Sequence, residues 1–321
     1  MREAGRRTLG GVPDPDVPLP PGHRARPLTV HDLPAVTALV AAQERHDLGH
    51  VLVEEADLAA DWSRPSFDPS LRTIGVEPLA APGTLVAYGE LGHAERGDLA
   101  VHPDHRGSGL GTWLAGWLER TARAGGASVV GTPVPAGSPA DRLLEHLGWH
   151  VRWRSWVLAL PAHAQVPART LPPGHAVRAA RDDELAACWQ VVEDAFLEWS
   201  RRERQPLEDW AAGVVGRPGF EPWHLRVATD QDDQVVGVAV LTVGGDDGRT
   251  VFVAQLAVRA EHRGRGLAQA LLADAFAEGR RHGHDRAELS TDSRTGALGL
   301  YERLGMVVTS DWVHRAVRIP T

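Results

Sequence analysis

An internal repeat constrains this chain more than any other feature of its sequence. Residues 99–111 (LAVHPDHRGSGLG) recur 157 positions later as residues 256–268 (LAVRAEHRGRGLA). The same spacing relates Gly148 to Gly305. A match that keeps its order and spacing over such a distance indicates a duplicated folding unit. The 321 residues are enough for two units of about 150 residues, each with its own hydrophobic core.

Two proline-rich stretches suggest where the units begin and end. Residues 1–22 contain many prolines and glycines and little that a core would bury, so we predict a disordered lead-in. A second such stretch, Pro161–Pro173, lies near the middle of the chain and predicts a linker over residues 164–173. The predicted domains are therefore residues 23–163 and residues 174–321.

The two halves show the same order of predicted elements. Each has a strand, helices, two strands, a glycine-rich turn, a helix, a strand, a helix and a final strand. In the second half, Gln234–Val243 and Thr250–Val258 are rich in β-branched residues and flank a glycine-rich stretch, which predicts a hairpin. Apolar residues at helical spacing follow each glycine-rich turn. Gly125 and Gly279 are expected to end these two helices.

The composition excludes several classes of function. The chain contains no lysine and has a net charge of −8 at pH 7, whereas binding to nucleic acids or anionic membranes through charge needs a basic surface. Its single cysteine, Cys188, lies in an apolar helical pattern, so we expect a buried thiol in a reducing compartment. No apolar stretch reaches the roughly 18 residues of a membrane span, and Met1–Arg7 is not followed by the apolar run of a signal peptide. We therefore expect a cytoplasmic protein that binds neither nucleic acid nor membrane.

Each glycine-rich turn leads from a strand directly into a helix. The first turn of a helix carries N–H groups without carbonyl partners and the positive end of the helix dipole, and glycine lets a ligand approach the backbone closely. Such a turn predicts a pyrophosphate cradle. Basic side chains flank it in both halves: His105, Arg106, His262, Arg263 and Arg265. A nucleotide site or a purely structural connection stays open at this point, although the lysine of a Walker motif is absent.

The detailed form of the repeat narrows these alternatives. Leu-x-Val, followed after four residues by Arg-Gly-x-Gly-Leu-Gly/Ala, resembles the acetyl-CoA-binding motif of the GNAT acetyltransferases, and Ala297–Met306 resembles that family's second signature. The resemblance implies an α/β fold of two tandem GNAT-like domains, each with a mixed, mostly antiparallel central sheet flanked by helices. It also implies acetyl-CoA as the acetyl donor, without a metal, and a pantetheine arm that pairs with residues 256–258 where the central strands splay. The residues that it assigns to acetyl-CoA are Leu256, Ala257, Val258, Arg263, Gly264, Arg265, Gly266, Leu267 and Ala268 in the second unit, and Leu99, Val101, Arg106, Gly107, Ser108, Gly109, Leu110 and Gly111 in the first.

Proton transfer distinguishes the two units. Acyl transfer to an amine needs a proton donor for the departing thiolate, and in GNAT enzymes a tyrosine in the Leu-Tyr motif often supplies it. Tyr301 matches that position, and its helical spacing from Ala297 and Leu304 places it on an inward face; the alternative is a tyrosine that only packs. The first unit has Leu144 at the corresponding position, and leucine cannot donate a proton. We therefore predict that the second unit is the catalytic domain and that the first is structural or regulatory.

The general base stays open at the level of the sequence. No carboxylate lies within Thr250–Val258, the strand on which many GNAT enzymes keep one. The remaining candidates are Glu288, Asp292, Glu198 and His314. Ordered water, or an acceptor amine of low pKa, would make a protein base unnecessary.

The segment from Phe196 to Pro222 is predicted to cover the acceptor site. Its aromatic residues alternate with carboxylates, a combination that suits a cationic amine or an aminosugar. Glu198 and Trp210 are the candidate substrate-binding residues, although tryptophan at helical spacing is also typical of a core. The expected acceptor is a small-molecule amine.

Within the GNAT proteins, a tandem chain with a degenerate first unit is similar to the mycothiol synthases, which acetylate the cysteine amine of a glucosaminyl-inositol precursor. The similarity includes the chain length and the pattern at Gly219–Pro222. Two positions differ: Phe252 lies near where a carboxylate is expected, and Arg294 stands where asparagine is common.

Two other classes of protein stay open as hypotheses. The first is a non-catalytic acyl-CoA sensor, against which the Leu-Tyr motif argues, since a pure binder needs no proton donor. The second is a protein acetyltransferase that acts on lysine. Two similar units in one chain are compatible with a pseudo-dimeric monomer or with a homodimer.

Overall fold

The computed structural model describes residues 17–93, 95–200, 202–245 and 247–320. Its strands are β1 (His23–Arg26), β2 (Thr73–Pro78), β3 (Ala87–His93), β4 (Arg96–Val101), β5 (Val129–Pro135), β6 (His150–Leu160), β7 (Ala176–Ala179), β8 (Leu225–Thr229), β9 (Val235–Gly244), β10 (Thr250–Val258), β11 (Arg286–Asp292) and β12 (Val307–Arg318). Its helices are α1 (Leu33–Leu48), α2 (Glu55–Trp62), α3 (Pro69–Arg72), α4 (Leu110–Ala124), α5 (Pro139–His146), α6 (Leu185–Leu197), α7 (Leu207–Gly213), α8 (Leu267–Arg281) and α9 (Leu298–Arg303). Within these ranges, no helix combines the length and the apolar character that crossing a membrane requires.

The chain divides into two compact units, each with a six-stranded sheet. The first unit contains the described residues up to Asp47, Pro69–Arg152 and the residues from Trp312 onward; the second contains Leu48–Asp68 and Trp153–Asp311. The strand order is β1-β2-β3-β4-β5-β12 in the first unit and β7-β8-β9-β10-β11-β6 in the second. The pairs β4–β5 and β10–β11 are parallel, and the other pairs of known register are antiparallel. The predicted mixed, mostly antiparallel sheets are thereby confirmed.

The last strand of each sheet comes from the other half of the sequence. β6 follows the helices of the first repeat, yet it pairs with β11 of the second unit through Ser155–Leu160. β12 ends the second repeat, yet Trp312–Arg318 pair with β5 of the first unit. The compact units therefore differ from the contiguous domains, 23–163 and 174–321, that the proline-rich stretches suggested. Local periodicity predicts a strand, but it carries no information on which distant strand completes a sheet.

Two apolar clusters cover the two faces of the sheet in the second unit. On one face, α8 buries Leu271 and Phe276 among the residues of β10 and β11. On the other face, α6 and α7 bury Cys188 and Trp210 among the residues of β9 and β10. Full burial of a leucine or phenylalanine side chain contributes about 1.5–3 kcal/mol. Cys188 is fully buried, so the prediction of a buried cysteine is confirmed, and this burial raises the pKa of its thiol to about 12.

The helix after each glycine-rich turn is confirmed, but one helix end differs from the prediction. α4 ends at Ala124, next to Gly125, as predicted. α8 continues past Gly279 to Arg281. A Cβ on Gly279 would lie 2.4 Å from Cγ2 of Val251, so this glycine allows a close approach of the helix to β10 and does not end the helix. The predicted hairpin is confirmed as β9 and β10.

Most of the predicted lead-in, residues 1–16, lies outside the described residues. Residues 17–22 depart from the prediction of disorder, because Leu19 packs against the cluster that contains Leu110 and Leu114 of α4. The carbonyl oxygen of Gly22 also accepts a hydrogen bond from the backbone N–H of Leu79 at 2.8 Å, so this stretch is attached to the first unit.

Candidate active site

The central strands of the second unit separate beside the segment predicted to bind acetyl-CoA. Within the described residues, β10 and β11 pair through residues 250–253 and 286–289 and not beyond. On the other edge of β10, the register with β9 shifts at Ala254, which forms a bulge. A bulge bends and twists its strand. The edge of residues 255–258 that faces β11 is therefore open to the amide groups of a ligand.

The glycine-rich turn after β10 has the backbone that an anion cradle requires. Gly264 and Gly266 have φ values of +74° and +86°, in the left-handed region that favours glycine. Gly266 caps the N-terminus of α8. The first N–H groups of α8 have no carbonyl partner within the helix, and the helix dipole is positive there. A pyrophosphate therefore fits this turn.

An arginine from the connection between the repeats lies against the same turn. A Cβ on Gly266 would lie 2.4 Å from Cδ of Arg169, so the stem of Arg169 contacts the glycine. Gln269, in the first turn of α8, donates from Nε2 to the carbonyl oxygen of Pro167 at 2.7 Å and holds the connection in place. Sequence reasoning treated residues 164–173 as a linker and missed this cation, since a proline-rich pattern does not show what its residues contact.

Arg263 and Glu198 form an ion pair at the side of the turn. Nη1 and Nη2 of Arg263 donate to the two oxygens of Glu198 at 2.6 and 2.8 Å, and Nε donates to the carbonyl oxygen of Val258 at 2.9 Å. The hydrogen bond from Arg263 lowers the pKa of Glu198. A carboxylate held charged in a bidentate pair is a poor proton acceptor, so Glu198 is not suited to act as a general base. Contacts of Arg263 with acetyl-CoA and of Glu198 with the acceptor stay predictions.

Tyr301 lies on α9 within the apolar cluster under α8. The residue is 8% exposed. Burial raises the pKa of Tyr301 to about 12, so its hydroxyl stays protonated at neutral pH. A general acid must carry its proton at the working pH, and the phenol of Tyr301 meets this requirement. The assignment of Tyr301 as that donor stays a prediction.

The other candidate bases, His314, Asp292 and Glu288, lie on strands β11 and β12. His314 lies on β12 opposite Pro133, in the sheet of the first unit. Asp292 accepts hydrogen bonds from the backbone N–H and from Nη2 of Arg294 at 2.8 and 2.5 Å. Glu288 lies on β11, and burial raises the pKa of its carboxyl.

Arg294 is enclosed by two tryptophans. Its Cζ lies 3.8 Å from the ring centroid of Trp153 and 4.7 Å from that of Trp199. Cation–π contacts with the two rings stabilise the guanidinium, and Asp292 forms an ion pair with it. The arginine therefore joins β6, the residues after α6 and the loop after β11. The sequence shows its unusual position but not these contacts.

Trp210 belongs to the core. It is 2% exposed, and its Nε1 donates to Oε1 of Gln255 at 2.9 Å. Gln255 directly follows the bulge at Ala254, so Trp210 orients a residue of the open edge. The predicted contact of Trp210 with an acceptor stays a prediction.

The pattern at Gly219–Pro222 lies near the far end of α8. Trp223 stacks on His282 with ring centroids 4.4 Å apart and planes inclined at 15°. His282 follows the last residue of α8, a helix of 15 residues and therefore about 22 Å long. This part of the segment that was expected to cover the acceptor site thus lies at the end of α8 opposite the glycine-rich turn.

His224 makes the second unit sensitive to acid. It is 4% exposed, its Nδ1 accepts the N–H of Glu221 at 3.1 Å, and its Nε2 is buried without a partner in the described residues. Burial lowers the pKa of His224 from 6.5 to about 4, so between these values the unfolded chain binds a proton that the folded chain does not. Its stability contribution is complete above pH 6.5 and is lost as the pH falls towards 4, by on the order of 3 kcal/mol.

We expect His224→Asn, which keeps an acceptor in place of Nδ1, to flatten this loss of stability. Urea unfolding of wild type and variant at pH values from 7 to 4.5 measures it, with His150→Asn as the control because His150 is exposed. An unchanged pH dependence in His224→Asn would contradict the assignment.

The first unit has the same turn, with an ion pair beside it. Gly107 and Gly109 have φ values of +75° and +90°. Nη1 and Nη2 of Arg106 donate to the carboxylate of Asp47 at 2.7 and 2.8 Å. Burial by itself would raise the pKa of Asp47, but the hydrogen bonds from Arg106 and His46 hold it below its usual value. The turn therefore has the same backbone as its counterpart in the second unit.

The rest of the first unit differs from the second where the chemistry would occur. Leu144, the counterpart of Tyr301, is 3% exposed and packed in the core. The backbone N–H of Val101, the counterpart of Val258, donates to Oε1 of Gln43 at 2.9 Å. A group that a pantetheine arm would need in the first unit thus already has a partner within the protein.

Comparisons with known proteins agree with this geometry. The sequence pattern of the acetyltransferase (GNAT) family matches the chain twice, over residues 43–149 and 185–306. The mycothiol acetyltransferase of Thermobispora bispora is 31% identical over 283 residues, which cover 86% of this chain and 93% of that protein. A GCN5-related N-acetyltransferase from Sphaerobacter thermophilus superposes with a TM-score of 0.73 at 29% identity, over 95% of this chain and 98% of that one. A tandem GNAT protein from the clavulanic acid biosynthesis pathway shares the fold, with a TM-score of 0.68 at 17% identity, over 93% of this chain and 99% of that one. The chain therefore belongs to the acetyltransferase (GNAT) family, as an N-acetyltransferase in which the family fold occurs twice.

Proposed function

We propose that the protein transfers the acetyl group of acetyl-CoA to a primary amine of a small molecule, and that the second unit carries the reaction. The observation that supports the second unit most is the combination of an open β10 edge, a glycine-rich turn at α8 and the buried, protonated Tyr301. The first unit has a comparable turn, but Leu144 replaces the tyrosine and Gln43 binds the Val101 N–H.

Each part of the second unit has a distinct role in this proposal. The backbone of residues 255–258 binds the amide groups of the pantetheine arm along the open edge. The N–H groups that begin α8 bind the pyrophosphate together with Arg265. Tyr301 donates a proton to the sulfur as the thioester breaks. The turn of the first unit, Arg106–Gly111 with Leu99 and Val101, is a second predicted acyl-CoA site with a structural or regulatory role.

A second, narrower candidate is acetylation of the cysteinyl-glucosaminyl-inositol precursor of mycothiol. It is supported by the name of the Thermobispora bispora relative and by the extent of that match. Phe252 and Arg294 depart from the pattern expected of that reaction, so we propose the broader class of amine first. The acidic composition and the single buried cysteine fit a cytoplasmic enzyme, active as a pseudo-dimeric monomer or as a homodimer.

Release of free CoA thiol from acetyl-CoA, measured across a panel of amines, tests the proposal. The panel contains polyamines, aminosugars, amino acids, aminoglycosides, lysine peptides and the cysteinyl-glucosaminyl-inositol precursor. We expect turnover on one class of small amine, above the rate without acceptor. Turnover on lysine peptides would instead indicate a protein acetyltransferase. Acetyl-CoA binding in calorimetry without turnover on any class would contradict the enzyme and favour an acyl-CoA sensor.

A further inference from the structure

Glu288 is a half-buried carboxylate that has no close partner in the part of the chain that the structure describes. It lies on β11, and its side chain forms no hydrogen bond or ion pair with any other described residue. Burial raises the pKa of its carboxyl, and the more distant charges of His50 and Arg286 offset this only in part. Removing a charged group from water without compensating bonds is costly. A carboxylate kept in this state is unusual for a residue that serves structure only, and perturbed carboxylates cluster at functional sites.

The side chain of Glu288 points to the face of the sheet opposite α8. Its neighbours on β11, Ala287 and Leu289, are buried in the cluster under α8, and side chains alternate between the faces of a strand. Glu288 is paired with Phe252 on β10 and with Ala159 on β6, so these three residues share the other face. That is the face which α6 and α7 cover farther along β10.

Glu288 also lies next to the point where the central strands separate. The paired part of β10 and β11 ends at Val253 and Leu289, one residue beyond the Phe252–Glu288 pair. Tyr301 belongs to the cluster on the opposite face. The phenol of Tyr301 and the carboxylate of Glu288 therefore lie on opposite faces of the sheet, and the carboxylate lies next to the point where β10 and β11 separate.

We propose that Glu288 is the general base of the second unit, accepting the proton of the attacking amine directly or through one water. This proposal rests on the proposed function. The nitrogen of a neutral amine forms a bond to the acetyl carbon, and the bond from that carbon to sulfur breaks. The proton lost by the nitrogen passes to Glu288, and the thiolate takes a proton from Tyr301. Solvent then removes the proton from Glu288 and restores that of Tyr301, which leaves an amide and free CoA thiol.

The first unit lacks this group as well as the tyrosine. The position that corresponds to Glu288 is Gly131, at the same 157-residue spacing, and a Cβ there would lie 2.7 Å from the carbonyl oxygen of Arg315. The first unit has no room for a carboxylate at this point. The acid and the base are thus both present in one unit and both missing from the other.

The first test measures Glu288 itself and needs no acceptor. The side-chain carboxyl carbon of Glu288 is followed by ¹³C NMR during a pH titration of the wild-type chain, and Glu288→Gln identifies its resonance. We expect this carboxyl to titrate above the range of ordinary glutamates. A carboxyl that titrates at or below that range would overturn the proposal, because its environment would then not be the one that the structure shows.

The second test is the pH dependence of kcat/KM with the acceptor found in the panel. A base must be deprotonated, so the wild-type rate should rise with pH through the raised pKa and then level off. Glu288→Gln keeps the shape of the side chain and should lower the plateau roughly 10²-fold and remove the rising limb. Glu288→Asp should keep the limb and part of the rate, and the Kd of acetyl-CoA should change less than about twofold in both variants, since Glu288 is assigned to proton transfer and not to acyl-CoA binding.

The matched control is Glu145→Gln, which removes a carboxylate from an exposed position on α5 of the first unit and should behave as wild type. A wild-type pH profile in Glu288→Gln would overturn the assignment of the base and leave the proposed function intact. If the wild-type chain acetylates no amine of the panel, the proposed function fails and the base assignment fails with it.

Discussion

Replacing Tyr301 with phenylalanine is expected to lower kcat roughly 10²-fold, because loss of a general acid usually costs 10²–10⁴-fold. The departing thiolate would then leave without a proton donor. The phenyl ring retains the packing of a residue that is 8% exposed. The Tyr301 hydroxyl forms no hydrogen bond with another described residue, so none is lost in the variant. We therefore expect an unchanged melting temperature and an unchanged Kd for acetyl-CoA.

The other tyrosine of the chain supplies a matched control. The sequence contains two tyrosines, and the hydroxyl of Tyr88, in the first unit, donates to the carboxylate of Glu90 within the core. Tyr88→Phe leaves a buried carboxylate without this bond, at a cost of about 1–3 kcal/mol, yet it should leave kcat unchanged. Steady-state kinetics and thermal melts of both variants test the pair. Full turnover in Tyr301→Phe, or an equal loss of kcat in Tyr88→Phe, would contradict the assignment of the catalytic unit.

The second large effect is expected at the glycine that begins α8. Gly266→Ala forces an L side chain into a left-handed backbone, which costs about 1–2 kcal/mol, and its Cβ would lie 2.4 Å from Cδ of Arg169. The methyl group would occupy the cradle and displace the arginine from it. We expect the Kd of acetyl-CoA for the second unit to rise at least tenfold, with a similar fall in kcat/KM, on the premise that the cradle binds the pyrophosphate.

Gly109→Ala makes the same change in the first unit. Gly109 has a φ of +90°, and its Cβ would lie 3.5 Å from Cγ of Pro20, an ordinary contact. The backbone strain is therefore similar in both variants, so thermal melts should show similar losses of stability. Calorimetry with acetyl-CoA and steady-state kinetics then show which of the two turns binds the acetyl-CoA that is used in the reaction. Loss of turnover in Gly109→Ala with full activity in Gly266→Ala would assign the reaction to the first unit.

Much of the fold was predictable because it depends on short-range patterns. The repeat indicated two similar units, the β-branched runs around a glycine-rich stretch predicted β9 and β10, and each glycine-rich turn predicted the helix that follows it. Backbone conformation at Gly264 and Gly266 also depends on residue type, since glycine permits the left-handed φ that both residues adopt. Tyr301 was proposed from its match to the Leu-Tyr motif, and its helical spacing predicted the inward face on which the structure buries it.

Other parts of the site depend on contacts between residues far apart in the chain. Trp210 proved to be a core residue bound to Gln255, and His314 proved to lie in the sheet of the first unit. Arg169 was overlooked, because its contact with Gly266 joins residues 97 positions apart. In each case the residue type was visible in the sequence, but its neighbours were not.

The sequence by itself determined the duplication, the type of each main element, the two glycine-rich turns and the presence of Tyr301 in one unit where the other has Leu144. These features follow from periodicity, glycine chemistry and residue identity, which act over a few neighbouring positions. Only the tertiary structure decided that β6 pairs with β11 in the second unit and that β12 pairs with β5 in the first. It also decided that Glu288 pairs with Phe252, beside the point where β10 and β11 separate. Strand partners and register are set by the burial of whole faces and by hydrogen bonds between distant segments. The local sequence pattern of a strand therefore predicts neither its partner nor its register.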